Sequence, residues 1–455
     1  MRTVAERIAA FSSELRYEDL PAEVIHQVKR SMVDTVGCAF GGYDSEPGRI
    51  ARAMATDITS KQPATLLCSG DRTSADLAAF ANDVMIRYLD WNDGYISTGS
   101  GHPSDSISAL LAAAEISRAT GRELITATVV SFEVFCRIMD SWANKPLGVD
   151  HATVGGIASV AGAGRLMGLS QAQLLEAINI NVASNVALNQ TRVGHISNWK
   201  ACGYANSNRN ALFAAEIAKR GMSGPSPVFE GSAGFFKVIS REPFEPAPFG
   251  GRDRPFGIME CSTKQFPLGQ YAQTVVQAAI EARRHLRDIN EIAEIRIHTV
   301  PAGIKLMADS ADKWRPRSRE TADHSIPYCA CIALCFGAVE PHHFEERFRE
   351  DPRIIELINR VKCLPSDEAL QRELEMNLCD FELVLTSGDV RSVRVEYHRG
   401  HWRNPMSDDE MAQKLTVQAR PLLKAAKVDA LLDSLWALDE LNDIEALIRM
   451  TKIEA

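Results

Sequence analysis

The sequence predicts a mainly α protein, with a large all-helical domain over residues 1–264 and a smaller α+β domain over 265–403 that carries an antiparallel sheet. Three observations predict it. Apolar residues recur at helical spacing, with no alternating run, from the N-terminus to about residue 240. Prolines 243, 246, 248 and 255 with Gly250-Gly251 then mark a linker. Alternating apolar residues appear only beyond it: Ile292, Ile295 and Ile297, then 381–385 and 390–397 around the turn Ser387-Gly388-Asp389. A chain of 455 residues is also too long for one small core.

Taken in order, Leu20-Pro21 opens a helix with proline at its first position, continued by Val24, Val28, Met32 and Val36 and ended by Gly41-Gly42. Ser74 caps the next, on which Leu77, Phe80, Ala81, Val84 and Tyr88 share a face. Ile107, Leu110, Leu111 and Ala114 mark another, and Leu124 to Asp140 a third. The small-residue run Val154–Gly164 reads as close helix packing. Its GxGxxxG spacing and the missing preceding strand argue against a dinucleotide fingerprint. Ser170 with Gln173 makes a capping box for a helix running to about Asn189. A loop at 191–203 leads into a helix from Asn206 to Arg220. Phe229–Phe236, glycine-rich and aromatic, reads as a surface loop or lid. A helix runs from Gln270 to about Arg284. Ser407 with Glu410 caps the first helix of a tail, 404–455, expected to pack back on the first domain.

Composition narrows the function. A net charge of −9 argues against nucleic-acid or acidic-membrane surfaces. No apolar run reaches spanning length and the first residues read as no signal peptide, so a cytoplasmic protein is expected. The ten cysteines are scattered. Cys331 and Cys335 share a helix face that Cys329 does not, so they read as buried apolar residues rather than ligands of iron or zinc.

The stretch Leu89–Asp105 stands out, with carboxylates, a histidine, glycines and hydroxyls between two apolar helices. Asp90 falls at the C-terminal, negative end of the first helix, where its pKa is expected to rise toward that of a general base. His102 precedes Pro103-Ser104, the start of the second helix, whose free N–H groups welcome a carboxylate. A capped turn in which Asp90 and Asp93 make local hydrogen bonds fits the same residues. Asp90, Asp93 and His102 match no compact metal motif, and no GxSxG elbow occurs. Asp90, His102, His151, Lys200, Lys264 and Tyr328 all sit beside helix boundaries. They suit a substrate with several carboxylates. Lysines would hold it, histidine or aspartate would take the proton next to a carboxylate, and the other would protonate the leaving hydroxyl or the carbon. The classes are water elimination or addition, decarboxylation and epimerisation. Surface lysines and core histidines are the bland alternative.

Several motifs in order carry a family resemblance: Leu89-Asp90-Trp91-Asn92-Asp93, Gly101-His102-Pro103-Ser104-Asp105, Val149-Asp150-His151, Trp199-Lys200-Ala201, Lys264-Gln265-Phe266-Pro267 and His324-Ser325-Ile326-Pro327-Tyr328. With them the chain resembles the MmgE/PrpD family, whose members include 2-methylcitrate dehydratase, cis-aconitate decarboxylase and iminodisuccinate epimerase. The resemblance implies an all-helical domain, an α+β lid, a cleft between them, a homodimer, and catalysis without metal or cofactor. It implies Asp90, His102, His151, Lys200 and Tyr328 as catalytic residues, with Lys264, Asp93, Ser104 and Tyr271 binding substrate. The Asp-Trp-Asn-Asp and Asp-His forms look most like the 2-methylcitrate dehydratase branch. Two positions depart from it. Gly94 stands where that branch has threonine, and Leu268-Gly269-Gln270-Tyr271 stands where members often carry a histidine, with Tyr271 as its replacement. The expectation is a cofactor-independent lyase on a di- or tricarboxylate, most of all a dehydratase. An isomerase, a decarboxylase or a non-catalytic carboxylate binder are the alternatives.

Overall fold

The computed structural model describes residues 2–251, 254–372, 374 and 377–454. The final residue of the predicted tail, Ala455, lies outside them. Buried apolar residues form two cores. One collects side chains from Val4 to Cys261 and again from Met406 to Ile448; the other runs from Phe266 to Val395.

The first core is built by helices. Val4–Glu14, Ala22–Gly41, Ala75–Tyr88, Ile107–Ser117, Gly121–Ser141, Ala152–Leu166, Gln171–Ser184 and Trp199–Lys219 are its main members. Reciprocal capping boxes start several of them: Thr3 with Glu6, Thr120 with Glu123 and Ser170 with Gln173. Such a cap contributes roughly 0.5–2 kcal/mol and fixes where the helix begins. Pro21 caps its helix from outside rather than occupying the first turn. Helix Gln171–Ser184 stops short of Asn189, because Asp150 N–H donates to Ala187 O and holds the following segment extended. Helix Trp199–Lys219 starts well before Asn206, which places Lys200 in its first turn. Phe229–Phe236 is not a lid, since Phe229 and Phe235 are buried against each other and Phe235 meets Trp142 and Phe244 edge-on. Two-residue ladders at Ala64–Thr65 with Arg72–Thr73, and Tyr95–Ile96 with Ser100–Gly101, are the strand pairs of this part among the described residues.

The small-residue helix Ala152–Leu166 packs closely. A Cβ at Gly155 would lie 2.3 Å from the Tyr204 ring, and one at Gly162 would lie 2.8 Å from Ala127 O. Gly155→Ala is expected to cost about 1–3 kcal/mol through overpacking, read as a lower urea midpoint at unchanged slope.

The second core packs helix Gln273–Arg283 on a four-stranded sheet, with helix Ile326–Phe336 against that helix. Strand order is Val361–Pro365, Ile292–Thr299, Cys379–Leu385, Val390–Val395. The last three pair antiparallel; Val361–Pro365 joins Ile292–Thr299 in parallel, with Ile297 opposite both Cys363 and Phe381. The sheet is therefore mixed, not antiparallel. Val-Lys-Cys-Leu-Pro shows no clean alternation, and a parallel partner needs a crossover, which the helical stretch between the two strands supplies.

The tail returns to the first core. Helix Asp408–Ala419, capped by Ser407 and Glu410, lies against Ala22–Gly41, so closely that a Cβ at Gly37 would sit 3.0 Å from Leu415 Cα. From this helix the buried Lys414 ammonium donates to Trp91 O (2.6 Å) and Lys264 O (2.8 Å) and pairs with Asp34 (2.6 Å). One side chain thus ties the N-terminal half, the central loop and the start of the second core together.

Candidate active site

The central loop turns at Asp90. Helix Ala75–Tyr88 ends, and Asp90 adopts φ 52°, a left-handed conformation that aspartate tolerates. The turn drives its carboxylate into the interior, where it is fully buried. Arg87 Nη1 donates to it at 2.6 Å, Lys200 Nζ stands at 3.1 Å, and Lys264 Nζ is in direct contact and also reaches Asp90 O at 2.9 Å. Burial alone would raise the Asp90 pKa, but Arg87, Lys200, Lys264 and His324 hold it well below the usual carboxylate range. The expected upward shift is reversed, because full charges at contact outweigh the partial charge of a helix end. Asp90 is an anchored anion, not a free base.

Asp323 is its companion. It accepts from Lys200 Nζ at 2.8 Å to both oxygens, from Arg319 at 3.0 Å, and lies 2.6 Å from His324 Nδ1. His324 Nε2 lies 3.1 Å from Asp90 Oδ2, and burial with Lys200 alongside pushes that imidazole down to about 3. Lys200 and Lys264 are therefore both engaged by protein carboxylates, and burial pushes Lys264 down to about 8 against the pull of Asp90. Asp90, Asp323 and His324 bring ligand atoms within 4.8 Å of one another, the outline of a metal trio. The residues do not fit one: Arg87, Lys200 and Lys264 stand against Asp90, and Lys200 and Arg319 against Asp323, and a divalent ion would be repelled by these cations.

His102 is held differently. Its Nδ1 lies 2.6 Å from Asp93 O, and a carbonyl only accepts, so Nδ1 carries the proton and Nε2 keeps a bare lone pair. Burial, with Arg87 and Lys264 nearby, holds its pKa well below the ordinary histidine value. A neutral imidazole with a free Nε2 is a ready base. Asp93 and Ser104 supply the frame. Ser104 Oγ donates to Asp93 Oδ1 at 2.6 Å and Asn92 Nδ2 donates to Ser104 Oγ at 2.9 Å. Burial pushes Asp93 up to about 8. Both residues steady the loop rather than face the cleft.

His151 packs edge-on to His102, ring centroids 5.1 Å apart. A Cβ at Gly101 would lie 2.6 Å from His151 Cβ, so only glycine there admits the second ring. His151 Nδ1 is 3.3 Å from Asp150 Oδ1, whose other oxygen takes Arg192 Nε at 2.9 Å.

These groups border a narrow cleft between the two cores, with a cavity volume of about 50 Å³. Asp90, His102, His151, Lys145 and Arg192 line one side; Gly269, Gln270, Tyr271, Met307 and His324 line the other. A wider groove on the outer face of the second core, with Arg353 and Arg360 among its lining residues, lies away from all of them; those two are paired with Asp351 and Glu356.

Tyr328 is not brought to the cleft. It sits in the second core and donates its hydroxyl to His343 O at 2.6 Å, and burial pushes its pKa up. Tyr328→Phe is expected to leave turnover unchanged and cost about 1 kcal/mol of stability. The unanticipated members are Arg87, Arg192, Asp323 and His324. A signal for the last pair was present: Asp323-His324 precedes a helix start just as Asp150-His151 does. Arg87 is three residues before Asp90, and nothing local singles out Arg192.

The MmgE/PrpD N-terminal domain matches residues 6–247 and the MmgE/PrpD C-terminal domain matches 266–438. The chain belongs to the MmgE/PrpD family. Its relatives within that family include 2-methylcitrate dehydratase of Cupriavidus necator, 30% identical over 85% of this chain and 84% of that protein. The Escherichia coli (strain K12) 2-methylcitrate dehydratase is 28% identical over 82% and 81%, and Homo sapiens cis-aconitate decarboxylase is 26% identical over 99% and 95%. The MmgE/PrpD matches leave out residues 248–265, which contain the linker prolines' end and Lys264.

Proposed function

We propose that the protein is a cofactor-independent lyase that removes the proton next to a carboxylate of a small polycarboxylate and expels water, a dehydratase of the 2-methylcitrate kind. The observation that carries this is the bare Nε2 of a neutral His102 at the cleft. His102 takes the α-proton, the carbon–carbon double bond forms, and the carbon–oxygen bond breaks. The Tyr271 phenol, lining the opposite wall, delivers a proton to the departing hydroxyl; the imidazolium proton restores the phenol. Arg87, Lys200, Lys264 and Arg319 face Asp90, Asp105 and Asp323, four cations against three carboxylates. That buried excess of positive charge favours the extra negative charge which the substrate carboxylate gains as the proton leaves.

A decarboxylase acting through the same pocket is the second reading, favoured by the near-complete coverage of the decarboxylase relative. A cytoplasmic location and a homodimer are part of the proposal, the homodimer supported by exposed Leu188, Val193 and Trp199.

Incubation with citrate-like acids in deuterated water tests the proposal. Loss of water with an alkene product supports it. Carbon dioxide release moves it to the second reading. Deuterium uptake without either loss makes it an isomerase, and neither uptake nor loss from any acid overturns it.

A further inference from the structure

Arg192 lines the cleft and is only 5% exposed, yet neither Nη1 nor Nη2 has a hydrogen-bond partner in the protein. Its Nε alone is used, donating to Asp150. That bond fixes the guanidinium plane and leaves the Nη1/Nη2 edge, two parallel N–H donors matched to the two oxygens of a carboxylate. A buried guanidinium with an unmet donor edge is unfavourable unless a ligand completes it. The lysines expected to grip the substrate are already held by Asp90 and Asp323.

We infer that Arg192 is the carboxylate clamp of the site, taking a second carboxylate of the substrate. The inference rests on the polycarboxylate reading above and deepens it. Asp150 holds Arg192 through one oxygen and faces His151 through the other, so clamp and imidazole are positioned by one carboxylate. Asn189 and Lys145 also line the cleft.

The test uses propane-1,2,3-tricarboxylate, which has no hydroxyl to eliminate, and its terminal monoamide, titrated calorimetrically into the full chain. The wild-type protein is expected to bind the triacid about 10–100-fold more tightly than the monoamide. Arg192→Gln should weaken the triacid by that same factor and leave the monoamide unchanged. Arg192→Lys, a point charge without the fork, should fall between. In turnover, Arg192→Gln should raise KM with kcat kept, since the clamp acts equally on ground and transition state. A purely structural role would shift the unfolding midpoint without separating triacid from monoamide. Equal binding of both ligands by the wild-type protein overturns the inference even if the variant does not fold. So does an Arg192→Gln variant that still prefers the triacid. If the wild-type protein binds the triacid with the stated preference but turns over no acid, the clamp stands and the lyase reading falls. If it binds neither ligand, both fall.

Discussion

Replacing Asp90 by Asn should lower the unfolding free energy by about 3–5 kcal/mol and abolish turnover at once. The carboxylate is the anion on which Arg87, Lys200 and Lys264 converge, and all four groups are buried. Asparagine keeps the shape but leaves the cations facing one another in a medium of low dielectric. Urea unfolding measures the loss as a lower midpoint at unchanged slope. Removing a charge on each side restores balance, so Asp90→Asn with Lys264→Met should recover much of the stability and none of the activity. The pH dependence has a definite sign. A carboxylate whose folded pKa is depressed contributes stability above its unfolded pKa, and that contribution is lost as pH falls toward the folded value. Acid unfolding of the wild-type protein should therefore be steeper than that of Asp90→Asn. A variant with a wild-type midpoint would show that the three cations do not depend on this anion.

His102→Gln should cut proton abstraction by about 10²–10⁴-fold while keeping the fold. Glutamine can still donate its amide N–H toward Asp93 O, so the loop loses little, but it has no basic nitrogen to replace Nε2. Deuterium exchange at the α-carbon reads the loss directly, whichever product follows. Because the His102 pKa is held below the ordinary value, the acid limb of kcat/KM should lie below about 6.5, activity falling as pH drops through it. A variant that exchanges at the wild-type rate would move the base to His151.

Much of this architecture is legible in the residues. The capping boxes at Ser170 and Ser407, the helix before Asp90 and the hairpin at Gly388 are where local pattern puts them. Asp90, His102 and His151 do line one cleft. The errors share a cause. In His324-Ser325-Ile326-Pro327-Tyr328 the phenol looked like the reactive group. The helix begins at Ile326, however, and carries Tyr328 into the second core, while His324, just outside the cap, stays at the cleft. The parallel strand Val361–Pro365 was missed because its partner is set by a long crossover, not by its own five residues.

By itself, then, the sequence determined that helices build the first core, where several of them are capped, that the chain divides near the proline-rich linker, and which loop carries the polar residues. Periodicity, caps and turns act within a few turns of chain. Only the tertiary structure decided that Asp90 is an ion-paired anion, that Lys200 and Lys264 are ion-paired with protein carboxylates, and that both Nη atoms of Arg192 are buried without a partner. Those outcomes depend on distances between groups far apart in the chain, and the energy of a buried charge is set by what lies within a few ångströms of it.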